Sequence, residues 1–233
     1  MYFNVYVVVF IKNYRQFKYK LFIDIKQVFV TIDFMDVNKF LYTPMVLLDH
    51  RVMEYDFCLD NIQNKNGYYL EFGVFEGKSI NYMAHRKPQI TFHGFDSFDG
   101  LPEQWFMGHK VIEKGFFSLK ELPNVRKNVN LYEGWFTETI PGWKKDHRGP
   151  ISFINIDCDL YSSTKTIFDN LNDQIVAGTL LRFDDLLTSP IAHYPNWQNG
   201  EWKALVEWCK KYNRIVKPLA RSWKQGCTVV VEK

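Results

Sequence analysis

Four aspartates stand where two mostly apolar runs stop: Asp157 and Asp159 in "FINIDCDLYSST", Asp184 and Asp185 in "LLRFDDLLT". Both runs read as strands. Carboxylates are depleted from strands, and gathering several at strand tips costs free energy unless an opposite charge offsets them. Tips of adjacent parallel strands lie close together, so two or three of these carboxylates can converge. An oxygen-only set, without His or Cys, selects Mg²⁺, Mn²⁺ or Ca²⁺ over zinc. Such an ion lowers the pKa of a coordinated hydroxyl and orients it for in-line attack. The plainer reading is a helix cap for Asp159 and surface solvation for Asp185; Asp157 and Asp184 are harder to dismiss. Cys158, between two aspartates that would raise its pKa, reads as a small core residue rather than a nucleophile. His193, in "SPIAHYPNWQNGEW", follows the last acidic tip, where it could meet substrate or act as a base; a lone histidine is more often structural.

A second group of residues suits a nucleoside. In "LEFGVFEGKS", Gly73 and Gly77 sit where a phosphate-binding fingerprint has its outer glycines, but Phe75 takes the place of the middle one. A bulky residue there disfavours the pyrophosphate of NAD and tolerates a ligand without one. S-adenosylmethionine (SAM) is such a ligand, and Glu71 suits its amino group. Asp96, at the tip of the next strand, is spaced to hold ribose hydroxyls, and Trp135 and Phe136 could flank adenine. The competing readings are helix–strand packing for the glycines and a core position for Trp135.

Positioning these residues requires alternating elements. Strands are expected at 68–75, 89–96, 128–136, 150–159 and 177–185, with closing strands at 214–220 and 227–233. Helices are expected at 78–86, 137–147, 162–175 (capped by Ser162 or Ser163) and 200–212. Nearly continuous apolar strands alternating with helices imply an α/β domain built on a mostly parallel sheet covered on both faces. Ligands in that architecture bind beyond the carboxyl ends of the strands, where all the candidates above fall. Residues 97–117 are expected to be a long structureless loop, either a lid over the site or a variable surface loop. Asn64–Gly67, "NKNG", is turn chemistry and marks a boundary. Residues 1–66 then form an N-terminal extension or cap, with helical spacing of Met45, Leu48, Val52 and Tyr55, and residues 67–233 the main domain.

The 233 residues suffice for one such domain with an extension, and 46% apolar and 24% charged content is ordinary for a globular chain. Seven Trp and thirteen Tyr are many, which points to an aromatic pocket or interface. A net charge of +3 without a basic block gives no support to a nucleic-acid partner. The seven apolar residues "VYVVVFI" are too few to span a bilayer and read as a strand or an oligomer contact; with their aromatic neighbours they make a homodimer an open possibility. Four scattered cysteines without a CxxC pair suggest reduced thiols and a cytoplasmic location.

With those residues read, the chain resembles the macrocin O-methyltransferase family, SAM-dependent enzymes that methylate sugar hydroxyls in natural products. The resemblance rests on "YLEFGVFEGKSIN", "HGFDSFDGLPEQW", "GWFTETIP", "FINIDCDLYSSTK" and "LLRFDD", in that order across residues 67–212. It implies a class I, Rossmann-like methyltransferase fold with an antiparallel closing strand, SAM as donor, and Mg²⁺ (or Mn²⁺) held by Asp157, Asp184 and Asp185. Glu71, Gly73, Asp96, Ser97 and Trp135 would touch the cofactor, and Gly77, Ser79 and Phe136 complete the candidate set. The acceptor implied is a sugar of a glycan or glycosylated small molecule, such as a rhamnose. The similar catechol O-methyltransferases keep a lysine base three residues after the first acid; here Leu160 stands there, which leaves Asp157 or His193 to take the proton. The alternatives are a non-catalytic SAM-fold module for glycan binding or assembly, and an NAD-dependent oxidoreductase, which Phe75 disfavours.

Overall fold

The computed structural model describes residues 37–189 and 191–233. Its strands are β1 (Val46–Leu48), β2 (Tyr68–Phe72), β3 (Phe92–Asp96), β4 (Trp105–Phe106), β5 (Val111–Ile112), β6 (Val129–Glu133), β7 (Ile151–Ile156), β8 (Ile175–Phe183), β9 (Val216–Ser222) and β10 (Cys227–Val231). Its helices are α1 (Val37–Tyr42), α2 (Arg51–Asn61), α3 (Lys78–Arg86), α4 (Phe136–Asp146), α5 (Tyr161–Leu171) and α6 (Glu201–Tyr212). Eight strands form one sheet in the order β1-β9-β10-β8-β7-β2-β3-β6. All neighbours are parallel except β10, which runs antiparallel to both β8 and β9.

Strand periodicity decides which helix covers which face. Leu70, Phe72, Ile154, Ile156, Leu181 and Phe183 pack against Ile140 and Trp143 of α4, Ile167 and Phe168 of α5, and Trp202 and Leu205 of α6. The intervening Tyr69, Phe153 and Leu180 pack under Tyr55, Cys58 and Leu59 of α2 and Ile80 and Met83 of α3. Most of these side chains are wholly buried, each contributing roughly 1.5–3 kcal/mol of transfer free energy. The expected sheet, helices on both faces and antiparallel closing strand are all present.

Several local expectations need correction. Met45 and Leu48 do not belong to a helix: Val46–Leu48 is a strand beside β9, and α2 starts only at Arg51. Short apolar stretches fit either period, and the free edge of β9 decided this one. Neither Ser162 nor Ser163 caps α5; Leu160 takes that position without a side-chain bond, because Asp159 turns the chain at φ 63° and lets the helix start early. The 97–117 stretch is not structureless, since β4 and β5 pair as a hairpin and Asp99 bridges Ser118. β6, β7 and β8 end two to three residues earlier than expected, so the acids follow the strands instead of ending them. The run at residues 5–11 lies outside the described residues. Among the described residues, no helix is long and apolar enough to cross a membrane, and Cys58, Cys158, Cys209 and Cys227 are free and buried.

Candidate active site

The carboxyl ends of β2, β3, β6, β7 and β8 open onto one cavity of about 1170 Å³. Its first wall is the β2–α3 turn. Gly73, at φ 89°, lies so close to the end of β7 that a Cβ would sit 1.8 Å from the Asp157 carbonyl oxygen, so this close approach of two strand tips requires glycine. The turn is then tied to β3: the backbone N–H groups of Val74 and Phe75 both donate to Asp96 Oδ2 at 2.8 Å, and that of Phe98 donates to Oδ1 at 2.8 Å. Asp96 Oδ1 keeps a lone pair for a ligand hydroxyl. Ser79, Ser97, Trp135 and Phe136 line the same cavity. Phe136 is braced edge-on against Phe72, with ring centroids 5.1 Å apart.

Two members of the expected donor set lie off the cavity wall. Gly77 opens α3 at φ 74°, and its Cβ position faces Pro123 at 3.3 Å. Glu71 is fully buried beneath the turn, where its carboxylate accepts from Ser79 Oγ at 2.7 Å and from Asn155 Nδ2 at 3.0 Å. Burial pushes the Glu71 carboxyl up to about 7, with the two hydrogen bonds and the Arg182 charge working the other way.

In the same cavity, Asp157, Asp184 and Asp185 offer oxygens that all lie within 4.8 Å of one another. Burial first, and then its neighbour Asp184, raises the Asp157 carboxyl well above the usual range; the same two causes raise Asp185. Asp184 is held below it: burial opposes its charge, but Arg182 and Arg51 outweigh that. Arg182 Nη2 donates to Asp184 Oδ1 at 2.6 Å, while Arg51 contacts Asp184 Oδ2 and stands 3.6 Å from Asp157 Oδ2. Buried Glu201 receives the Asp185 backbone N–H at 3.1 Å on Oε2 and leaves Oε1 without a partner. A hard divalent cation fits this set, because every donor is oxygen and the half-exposed Arg51 guanidinium already supplies positive charge on the open side of the Asp157–Asp184 pair.

His193 is not brought to the cavity. Tyr194 turns inward, accepting from Trp105 Nε1 at 3.0 Å, so its neighbour His193 turns outward and stacks on His109 with ring centroids 6.3 Å apart. Sequence reading missed Arg51, Glu54 and Tyr55, which α2 delivers to the acidic end, and missed Asn155, Arg182 and Glu201. Asn155 and Arg182 carried a signal: a polar side chain in a strand buried on both faces must find polar partners.

The fold is that of class I, Rossmann-like methyltransferases, and solved structures share it. Over 77% of each chain, the protein superposes on the calicheamicin methyltransferase CalS11 with a TM-score of 0.56 at 19% identity. It matches the O-methyltransferase NovP with the same TM-score of 0.56 and 19% identity, over 78% of this chain and 80% of that one. Residues 70–186, half of the chain, match the methyltransferase domain family model, and the chain belongs to that family. It is also 28% identical over 159 residues to the 8-demethyl-8-(2,3-dimethoxy-alpha-L-rhamnosyl)-tetracenomycin-C 4'-O-methyltransferase of Streptomyces olivaceus, a match covering 58% of this chain and spanning 59% of that relative.

Proposed function

We propose that the protein is a SAM-dependent, Mg²⁺- or Mn²⁺-dependent O-methyltransferase acting on a sugar hydroxyl. The observation that carries this reading is a single cavity lined both by Gly73, Asp96 and Trp135 and by Asp157, Asp184 and Asp185 of the acidic cluster. When bound, the donor supplies an electrophilic methyl group, and the cation lowers the pKa of a hydroxyl placed beside it. Asp96 and Ser97 hold the donor's ribose side, Trp135 and Phe136 flank its base, and Gly73 lets it approach the backbone. Asp157, Asp184 and Asp185 hold the cation. Asp157, which lies beside that site, is the residue we assign to take the hydroxyl proton. The sugar class is supported by the Streptomyces relative, whose name places its methyl group on a rhamnosyl-bearing substrate. In this reading the described part of the N-terminal region expected at 1–66 caps the acceptor, since Arg51 of α2 lines the cavity beside Asp157 and Asp184. A homodimer and a cytoplasmic location belong to the same proposal.

Calorimetric titration with SAM, first with Mg²⁺ and then with EDTA, tests the donor. Micromolar binding in both conditions, with methyl transfer to rhamnose-bearing acceptors lost in EDTA, is the expected result. No SAM binding in either condition would leave the non-catalytic module as the better reading. Asp157→Asn should bind SAM within a few-fold of wild type yet lose methyl transfer by about a hundredfold or more; full turnover in this variant overturns both roles given to Asp157.

A further inference from the structure

The α2/α3 face of the sheet carries a row of polar side chains in register across its centre. Glu71 on β2 pairs with Asn155 on β7, and Asn155 pairs with Arg182 on β8. All three are 0% exposed. Buried polar groups of this kind cost free energy unless they satisfy one another, and here they do so in an unbroken chain. Ser79 Oγ donates to Glu71 Oε1 at 2.7 Å, and Asn155 Nδ2 donates to Glu71 Oε2 at 3.0 Å. Arg182 Nη1 donates to Asn155 Oδ1 at 3.0 Å, and its Nη2 donates to Asp184 Oδ1 at 2.6 Å and Glu54 Oε2 at 2.7 Å. One end, Ser79, is a wall of the cavity where the donor is placed; the other, Asp184, belongs to the acidic cluster.

We propose that Asn155 and Arg182 are positioning residues that couple donor binding to divalent-cation binding through this chain, an inference that rests on the donor and cation reading given above. The polarity of the chain carries it. Asn155 is the link with two arrangements. With its amide N–H on the Glu71 carboxylate and its carbonyl on the Arg182 guanidinium, both bonds form. Turned over, it would face donor to donor and acceptor to acceptor, and both would be lost. A ligand pressed against Ser79 fixes the hydroxyl on Glu71 Oε1 and so keeps Oε2 for Asn155. Asn155 in turn fixes Arg182, whose Nη2 holds Asp184 by Oδ1 and leaves Oδ2 turned to the side that Arg51 now occupies. Residues that orient a metal ligand in this way commonly set its affinity. Linkage requires the effect to be reciprocal: the cation must tighten the donor by the same factor.

Full-length protein is titrated with Mn²⁺ by calorimetry, without and with saturating S-adenosylhomocysteine, and with S-adenosylhomocysteine without and with Mn²⁺. Wild type should bind each ligand at least about fivefold more tightly in the presence of the other. Asn155→Ser, too short to bridge Glu71 and Arg182, should still bind both ligands while the coupling factor falls to one. Ser79→Ala cuts the chain at the half-buried end of α3, removing one donor from Glu71 but no packed apolar side chain, and should lower the factor in the same way, so the test survives if Asn155→Ser fails to fold. Arg182→Lys should restore no coupling, since an ammonium cannot serve Glu54, Asn155 and Asp184 together. A coupling factor of one in wild type, or an unchanged factor in Ser79→Ala, overturns the inference alone. A wild-type protein that binds S-adenosylhomocysteine but no Mn²⁺ overturns the cation reading, and the inference with it.

Discussion

Glu71 shows how a single buried carboxyl leaves a mark on the whole chain. Burial lifts it from the ordinary 4.5 to about 7. The folded chain therefore holds a proton that the unfolded chain has released between those values, and stability falls as pH rises through that window. Below it both states are protonated and above it both are ionised, so the dependence flattens at either side. Glu71→Gln removes this contribution while keeping an acceptor for Asn155. Between pH 4.5 and 8, urea unfolding should show wild type losing on the order of 3 kcal/mol more than the variant. Equal losses would mean that Ser79, Asn155 and Arg182 stabilise the ionised form enough to cancel the burial cost. That Gly73 and Phe75 lie in a turn at the carboxyl end of β2 was legible from sequence, because a glycine-bearing turn after an apolar run is a local fact. That His193 faces away from the cavity was not, because whether it or Tyr194 faces inward depends on Trp105, which lies 89 residues from Tyr194 in sequence.

At the scale of elements, α2 is the piece that reading by segment undervalues. Its Tyr55, Cys58 and Leu59 form part of the core under one face of the sheet. Its Glu54 is 0% exposed and meets Arg182 Nη2 at 2.7 Å, while Tyr55 lies under the guanidinium, 4.9 Å from carbon to ring centroid. Removing one partner of such a pair strands a charge in the core. Glu54→Ala should therefore cost about 3–5 kcal/mol by urea unfolding, and Glu54→Gln, which keeps a hydrogen-bond acceptor, distinctly less. A loss below about 1 kcal/mol in Glu54→Ala would show that Asp184 and Asn155 suffice to hold Arg182. The helix itself was legible at Tyr55. What it touches was not, because its partner on β8 is 128 residues away.

For the whole molecule, the strand tips gather more negative charge than the two guanidiniums offset. Burial and mutual repulsion hold Asp157, Asp159, Asp185 and Glu201 well above the usual carboxyl range. Raised folded-state values mean that the metal-free chain loses stability as pH rises through them. A divalent cation binds the ionised carboxylates and releases their protons, so its stabilising effect must grow in the same direction. Thermal unfolding should show a larger upward shift with Mn²⁺ at pH 8 than at pH 5.5. At about a hundred times the dissociation constant the gain is worth roughly 2.7 kcal/mol. Asp157→Asn should remove most of it, and a shift that does not depend on pH would argue against these carboxylates as the cation's ligands.

From sequence alone the fold class, the main alternation of strands and helices from residue 68 on, and the gathering of candidate residues at strand tips were legible. Each of these follows from local patterns: the period of apolar residues, the glycines of one turn, and acids where apolar runs stop. The chain's folding in space settles that β1 extends the sheet, that α2 reaches the acidic cluster, and that Glu71, Asn155 and Arg182 form one row. Those depend on sheet order and register, which bring β2, β7 and β8 side by side though their residues lie far apart in the chain. Hydrophobic periodicity says which face of a strand is buried; it does not say which strand lies next to it, and the chemistry of a buried polar row depends on that neighbour.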